Sequence, residues 1–260
     1  MVRPLCIAFV EWPEGLSTCD AQWSQLKDSV TAAQPDILLT NELPFGSWLA
    51  DAPVFTEQAA DLSLRAHEKG LEGLIDLGLP AVISSRPAWN GKRLANEAFV
   101  LENGAVRPLH HKQYFPNEPG WFESGWYAGD GSGFNVAEVL GIRVGVLLCT
   151  EAMFNEHARA YGKQKASLVV IPRASGTDLE SWKIAGAMAS LVSGAYVASS
   201  NRTGCTKMGA HFGGGGFAYA PQGRFLAATA PACPLQTFEL DPAISASAQR
   251  VYPCYVSELG

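Results

Sequence analysis

The sequence of 260 residues lacks the features that mark several large classes of protein. Lysine and arginine are outnumbered by acidic residues, 19 to 25, and form no cluster, which argues against binding to nucleic acid or to anionic membranes. The longest apolar runs, such as Val144–Leu148, are far too short to span a bilayer. The first residues show no signal-peptide pattern, so we expect a cytoplasmic protein with neither membrane nor nucleic acid among its partners.

Paired cysteine motifs are missing too. The six cysteines form no CxxC pair, and their spacing matches no metal–thiolate site. Thiols stay reduced in the compartment expected above, so we predict free cysteines and no metal. Repeats and low-complexity tracts are absent, and no stretch has the composition of a linker. We therefore predict one domain over residues 1–260.

The sequence does show short β-rich runs that alternate with helix-forming stretches, an order typical of layered α/β proteins. Two pairs of runs face each other across short turns, Ala98–Leu101 with Ala105–Leu109 and Phe217–Ala220 with Arg224–Ala228, which predicts mixed sheets. The predicted strands are Leu5–Val10, Ile37–Thr40, Ala81–Ser84, Glu97–Glu102 (which contains the first run of the first pair), Val144–Cys149, Leu168–Ile171 and Ala195–Ser199. The predicted helices are Ala21–Ala33, Val54–Gly70, Ala152–Gln164 and Ser181–Val192.

Cys149 ends the apolar run Val144–Leu148 and precedes a predicted helix. A cysteine at such a strand-to-helix turn stands at the edge of a sheet, where backbone N–H groups and the start of the helix favour a thiolate and an oxyanion. Free cysteine is also common in apolar cores, so this segment alone leaves a structural role open.

Glu42 follows another apolar run, at the carboxyl end of a predicted strand. Layered α/β proteins commonly place their sites at that end, and a partly desolvated glutamate there has a raised pKa and can accept a thiol proton. A solvated loop acid is the alternative.

Lys112 follows His110 and His111 after a predicted hairpin strand. Consecutive residues of an extended chain point in opposite directions, so the two histidines are poor ligands for one metal ion. Either histidine as the base for Cys149 is a weaker hypothesis than Glu42. Lys112 supplies a fixed positive charge that can face an anionic tetrahedral intermediate.

Taken in order, Glu42, Lys112 and Cys149 resemble the nitrilase, or carbon–nitrogen hydrolase, superfamily. The most specific block is Gly141–Arg159, which is similar to the family's block around its nucleophilic cysteine. The resemblance extends over nearly the whole chain, through the further blocks Asp36–Pro44, Asn96–Val100, Glu118–Gly125, Ser200–Gly204 and Gly216–Gly223.

The resemblance implies Glu42 as general base, Lys112 as the partner of the oxyanion and Cys149 as nucleophile, with the backbone N–H of Thr150 in the oxyanion hole. The implied fold is α/β, a four-layer α-β-β-α sandwich with two mixed sheets. It also implies a homodimer or larger homo-oligomer that assembles through the helices near Cys149.

Glu118 is the residue that the resemblance implies as second glutamate, which positions the substrate and assists proton transfer. Glu123 is a nearby competitor. It follows the pair Trp121-Phe122, however, whereas the family places this glutamate before the aromatic pair.

Three residues are predicted to bind substrate. Trp121 belongs to a set of aromatic residues that predicts an aromatic-lined pocket, although a place in the core or in a subunit interface is the alternative. Glu151 and Arg173 are predicted to bind polar ends of the substrate, and Arg173 would suit a carboxylate. An ion pair between such residues is the alternative. The aromatic set is Phe45, Trp48, Tyr114, Trp121 and Trp126.

The implied activity is cysteine-dependent hydrolysis of non-peptide carbon–nitrogen bonds, without metal or organic cofactor. The substrate class that the resemblance favours is a small amide or an N-carbamoyl compound, cleaved through a thioester acyl-enzyme. Conversion of a nitrile to a carboxylic acid and ammonia is the alternative reaction. A binding module without enzymatic activity is the alternative from another class.

Overall fold

Strands and helices alternate along residues 3–257, the part of the chain that the computed structural model describes. None of the helices in this part is long and apolar enough to cross a membrane. The strands are β1 (Leu5–Val10), β2 (Ile37–Leu39), β3 (Ala81–Asn90), β4 (Arg93–Glu102), β5 (Ala105–His111), β6 (Ala137–Val139), β7 (Ile142–Val146), β8 (Leu168–Arg173), β9 (Tyr196–Asn201), β10 (Thr203–Cys205), β11 (His211–Gly213), β12 (Phe217–Ala220), β13 (Arg224–Ala228) and β14 (Leu235–Leu240). The helices are α1 (Ala21–Ala33), α2 (Glu57–Ile75), α3 (Glu123–Trp126), α4 (Asn155–Lys163), α5 (Leu179–Ser193) and α6 (Pro242–Ala248).

Two six-stranded sheets form the centre of the molecule. The first has the strand order β14-β1-β2-β3-β4-β5, and the second has the order β13-β12-β9-β8-β7-β6. In each sheet the central pairings are parallel, β1–β2–β3 and β7–β8–β9, and the pairings toward the edges are antiparallel. The prediction of two mixed sheets flanked by helices is thereby confirmed.

Strand β1 shows how the layers are held together. Successive side chains of a strand point to opposite faces, so Leu5, Ile7 and Phe9 enter the core between the two sheets. Ala8 and Val10 point the other way, into a core that contains side chains of α1 and α2. Because both faces are buried, the strand is an unbroken apolar run in the sequence. A third core packs α4 and α5 on the outer face of the second sheet, which completes the order helix, sheet, sheet, helix.

Local sequence signals place several element boundaries. β1 and α1 begin and end at the predicted residues. The turn at Asn103-Gly104 has positive φ at both residues, 51° and 77°, as a type I′ hairpin requires. Helix α2 begins three residues later than predicted, because the Thr56 side chain caps it by accepting a hydrogen bond from the Ala59 N–H.

Candidate active site

The three predicted catalytic side chains lie just beyond the carboxyl ends of strands from both sheets. Glu42 follows the end of β2 by three residues, and Lys112 follows β5 directly. Both belong to the first sheet. Cys149 follows the end of β7, in the second sheet, by three residues. Face-to-face packing of the two sheets therefore brings an acid–base pair and a thiol to the same end of the sandwich.

Glu42 and Lys112 form a buried ion pair. Their side chains are fully buried, and the Lys112 Nζ donates to the Glu42 Oε1 at 2.8 Å. The same oxygen accepts a hydrogen bond from the Asn96 side chain at 2.8 Å, and Oε2 accepts one from the Ala174 N–H at 3.1 Å. Both carboxylate oxygens are thus held by donors from the two sheets, and the Glu42 side chain has one fixed orientation.

A second carboxylate contacts Lys112, and it belongs to Glu123. The Glu123 side chain is fully buried, and its Oε2 lies 2.6 Å from the Lys112 Nζ. Glu118, the residue that the resemblance implied for this role, is exposed and lies in a tight turn closed by hydrogen bonds to Trp121. The one-turn helix α3 directs Glu123 inward, so the geometry favours Glu123 over Glu118 as the second glutamate.

Burial and charge set the protonation of this cluster. Burial alone would lower the pKa of Lys112, but the charges of Glu123 and Glu42 outweigh it and hold that pKa well above its ordinary value. Burial raises the pKa of Glu123 to about 8, and the charge of Glu42 adds to this rise while Lys112 opposes it. At neutral pH Glu123 is therefore mostly protonated, and it lies beside the Lys112 ammonium.

Cys149 occupies a strained backbone position at the start of a single 3₁₀ turn, Cys149–Met153. Its φ is 50°, in the left-handed region that residues with a side chain rarely adopt. Burial raises the pKa of the thiol, the negative charge of Glu42 adds to this, and the charge of Lys112 works against it. The resting form is therefore the neutral thiol, and a base must remove its proton before it can attack a substrate.

The approach to Cys149 is fixed by close packing of β7. The ring of Tyr161 lies directly over Gly145, where a Cβ atom would come within 2.5 Å of it. The Tyr161 hydroxyl donates to the Val146 carbonyl at 2.6 Å. Thr150 follows in the first turn of the 3₁₀ segment, where backbone N–H groups have no partner within the turn.

Cys149 and Thr150 line a pocket of about 600 Å³. Trp121 forms one wall of this pocket, and its ring nitrogen donates to the Ala174 carbonyl at 2.7 Å. The pocket is large enough for a small organic molecule and gives it access to a single buried cysteine.

Comparison with known families identifies the family of the chain. The sequence model of the carbon–nitrogen hydrolase family matches residues 63–245. The chain belongs to this family. The resemblance to the nitrilase superfamily is thereby confirmed.

Solved structures of other carbon–nitrogen hydrolases share the fold. A carbon–nitrogen hydrolase from Helicobacter pylori G27 superposes with a TM-score of 0.85 at 19% identity, over 97% of this chain and 94% of the other. A mutant amidase from Nesterenkonia sp. AN1 superposes with a TM-score of 0.77 at 20% identity, over 94% of this chain and 92% of the amidase. In that amidase the acetamide moiety of fluoroacetamide is attached to the active-site cysteine.

A curated relative matches over a shorter segment. The N-carbamoylputrescine amidase of Solanum tuberosum is 27% identical over 103 residues, which is 40% of this carbon–nitrogen hydrolase. The matched segment spans about a third of the relative's own length, 34%.

Glu151, predicted to bind substrate, is instead buried within the framework of this carbon–nitrogen hydrolase. Its carboxylate accepts hydrogen bonds from the Leu148 N–H at 2.7 Å and from the Gln113 N–H at 2.7 Å, and it lies 2.9 Å from the His110 Nε2. These contacts tie the cysteine turn to the segment that follows Lys112. They also explain why α4 begins at Asn155 and not at the predicted residue, because the 3₁₀ turn is held around the Glu151 side chain.

Replacement of Glu151 by glutamine is expected to destabilise the protein by about 2–3 kcal/mol, because the amide oxygen can accept only one of the two backbone N–H bonds and the NH2 group faces the other N–H donor. Thermal unfolding followed by circular dichroism measures the change. Glu156→Gln, an exposed site on α4, is the matched control and should shift the stability by less than about 0.5 kcal/mol. Equal melting temperatures for the two variants would contradict the assignment.

Arg173, the other polar residue predicted to bind substrate, is also buried and has partners within the protein. Its guanidinium is fully buried between the rings of Trp182 and Phe217 and donates to the Ser199 and Ser175 hydroxyls and to the Gly215 carbonyl. Burial lowers the pKa of Arg173 to about 10. Strand alternation explains the outcome, because residue 173 points with 169 and 171 to the outer face of the second sheet.

The two histidines separate as the alternation of a strand predicts. His110 lies against Glu151, and His111 lies against Glu97. Within residues 3–257, no group of three or more histidine, cysteine or acidic side chains is arranged to hold a metal ion.

The aromatic set divides between pockets and core. Trp121 lines the pocket that contains Cys149, while Trp48 and Trp126 line a neighbouring one. Phe45 packs against Trp12 and Trp23 under the first sheet.

Proposed function

We propose that the protein hydrolyses small amides or N-carbamoyl compounds through a thioester on Cys149. The observation that carries the proposal is the setting of this thiol. It opens on a pocket of about 600 Å³ and lies within the electric field of Glu42, Lys112 and Glu123. A nucleophile, a fixed base and a fixed cation are the groups that acyl transfer needs.

Acylation begins when Glu42 takes the proton of the Cys149 thiol. The sulfur forms a bond to the carbonyl carbon, and the carbonyl oxygen becomes an oxyanion beside the Lys112 ammonium and the Thr150 N–H. The carbon–nitrogen bond then breaks, and the leaving nitrogen takes the proton held by Glu42. Ammonia or an amine departs and the acyl group remains as a thioester.

Deacylation repeats these steps with water. Glu42 removes a proton from water, and the oxygen attacks the thioester carbon. The carbon–sulfur bond breaks and the thiolate recovers its proton from Glu42, which releases a carboxylic or carbamic acid. Lys112 keeps its charge throughout, since two carboxyl groups hold its pKa far above neutrality.

The relatives support this substrate class. One relative is an N-carbamoylputrescine amidase, and a structural neighbour is an amidase whose active-site cysteine carries an acetamide moiety. The test is an ammonia-release screen of short amides, N-carbamoyl compounds and nitriles. Turnover of amides or N-carbamoyl compounds supports the proposal, whereas turnover of nitriles alone would replace it with a nitrilase.

We also propose self-association through the helices near Cys149. The surface of this region carries exposed apolar side chains, and such side chains are typical of subunit interfaces. They are Met153 and Phe154 beside α4 and Ile184 and Met188 on α5.

Glu123→Gln is expected to lower kcat about 100-fold, while Glu118→Gln changes kcat for a neutral amide less than about threefold. Glu123 contacts Lys112 inside the cluster, whereas Glu118 is exposed. If turnover uses the protonated form of Glu123, activity falls as pH rises through about 8, where this proton is lost. The pH profile of kcat measures this, and the alkaline decline should be missing in Glu123→Gln. A larger loss in Glu118→Gln would restore the assignment implied by the resemblance.

A further inference from the structure

Asp51 is a buried carboxylate without a partner. It ends a 3₁₀ turn, Leu49–Asp51, and only 8% of its surface is exposed. Within residues 3–257 its side chain accepts no hydrogen bond and forms no ion pair. A buried carboxylate normally has donors around it, because the loss of its hydration is costly.

The other deeply buried acids each have at least one protein partner, although Glu123, which contacts Lys112, leaves its Oε1 without one. Glu42 and Glu151 each accept several hydrogen bonds, and Glu97 is paired with Arg86. Glu11 accepts from the Gly215 N–H and from the Thr229 hydroxyl. Asp51 is different because its donor is not supplied by the part of the chain that the structure describes.

The Asp51 side chain lies where a ligand would meet it. It lines the pocket that contains Cys149, and it also lines a second pocket of about 560 Å³. Met208 is the other residue common to both pockets. The second pocket is walled mainly by apolar side chains such as Trp48, Val54 and Trp126, and its lining also includes one acid and one lysine, Glu14 and Lys207. Asp51 therefore stands at the junction between the thiol and an apolar recess.

The pocket with the thiol is acidic. Its lining contains the carboxylates of Asp51, Glu118 and Asp178 and the exposed ring of His211, but neither lysine nor arginine. Asp178 is exposed and bonded to Ser181, so Asp51 is the buried charge that faces the pocket. An anionic substrate would be repelled here, and a cationic one attracted.

We propose that the substrate carries a cationic group, a primary ammonium or a guanidinium, and that Asp51 is its counter-ion. The inference rests on the proposed function and specifies its substrate. An amide carbon at Cys149 and a cation at Asp51 would be joined by a short aliphatic chain. A charged donor supplies the hydrogen bonds that Asp51 lacks, and neutral or carboxylate-ended analogues do not.

Three amides of equal chain length test the proposal: 5-aminopentanamide, hexanamide and adipamate. The wild type is expected to show a kcat/KM about 10- to 100-fold higher for the amine than for the methyl compound, and the lowest value for the carboxylate. Asp51→Asn, which keeps the shape of the side chain, should abolish the preference for the amine. Glu57→Gln removes the same charge from an exposed site six residues away and should retain the preference.

Binding to the Cys149→Ala variant separates this inference from the proposed function. Calorimetry should show tighter binding of 5-aminopentanamide than of hexanamide, and the difference should vanish in the double variant with Asp51→Asn. The difference in binding is expected even if the wild type turns over none of the amides. That result would contradict the proposed function but not the role of Asp51. Equal affinities in Cys149→Ala, or an equal loss for both compounds on Asp51→Asn, would overturn the role of Asp51.

Discussion

Cys149→Ala is expected to abolish ammonia release, with a fall in kcat of about 10⁴-fold or more. The hydroxyl groups that line the same pocket belong to residues such as Thr150 and Ser175, and none of them replaces a thiol poised beside Glu42 and Lys112. The substitution removes one sulfur atom and no hydrogen-bonded charge, so the fold should persist. Turnover assays and circular dichroism of the purified variant measure both properties.

Cys205→Ala is the matched control. This exposed cysteine lies 3.7 Å from the His211 Nε2 and so forms a cysteine–histidine pair near the pocket. Cys205 has neither a buried base nor a buried cation beside it, so the substitution of Cys205 should change kcat less than about twofold. If Cys205→Ala were inactive and Cys149→Ala active, the proposed mechanism would be wrong. Mass spectrometry of the wild type with a slow substrate should locate the acyl group on Cys149.

Glu42→Gln is expected to leave a folded protein whose kcat is lower by about 10²- to 10⁴-fold. The amide oxygen can still accept from Lys112 and Asn96, but the group no longer takes a proton from the thiol. One hydrogen bond, from the Ala174 N–H, is lost because the amide presents a donor in its place. The expected loss of stability is about 1 kcal/mol.

The same substitution should alter the titration of Glu123. The charge of Glu42 contributes to the raised pKa of Glu123, so its removal lowers that pKa and lets Glu123 pair with Lys112 as a carboxylate. Residual activity of Glu42→Gln should therefore have a different pH profile from that of the wild type. Near-normal turnover with a shifted profile would identify Glu123 as the base.

Much of the fold was predictable because strand and helix periods are local properties. β1 and α1 were placed to the residue, since an unbroken apolar run and a helical apolar spacing leave few alternatives. Glu42, Lys112 and Cys149 were singled out by their positions after apolar strands, and the structure places each of them beyond a strand end.

The remaining site residues depend on tertiary structure. The sequence offers both Glu118 and Glu123 as the second glutamate of the site. Only the path of the loop after β5 determines which of the two carboxylates points inward. No local sequence pattern singles out Asp51, because the proposed role of its carboxylate rests on the lack of a hydrogen-bond donor or cation around it in the folded structure. The burial of Arg173 also depends on tertiary structure, since the Trp182 ring and the Ser175 hydroxyl that cover its guanidinium come from outside β8.

The sequence analysis included Asn96 in the block Asn96–Val100, which resembles the family, but assigned no role to it. On β4 it shares the parity of Ala98 and Val100, which point into the core between the sheets. That alternation directs Asn96 toward Glu42, and the hydrogen bond between them follows. Attention to strand parity would have identified this contact from the sequence.

The base and the nucleophile follow strands of different sheets, so the site is complete only when both sheets have formed and packed together. Glu42 and Lys112 come from the first sheet, while Cys149 and the Ala174 N–H come from the second. The first sheet is itself completed only when β14, near the end of the chain, pairs with β1. A chain in which only one sheet had formed would have a thiol without its base or a base without its thiol, and we expect it not to turn over substrate. Recovery of enzymatic activity is thus a direct assay of complete refolding.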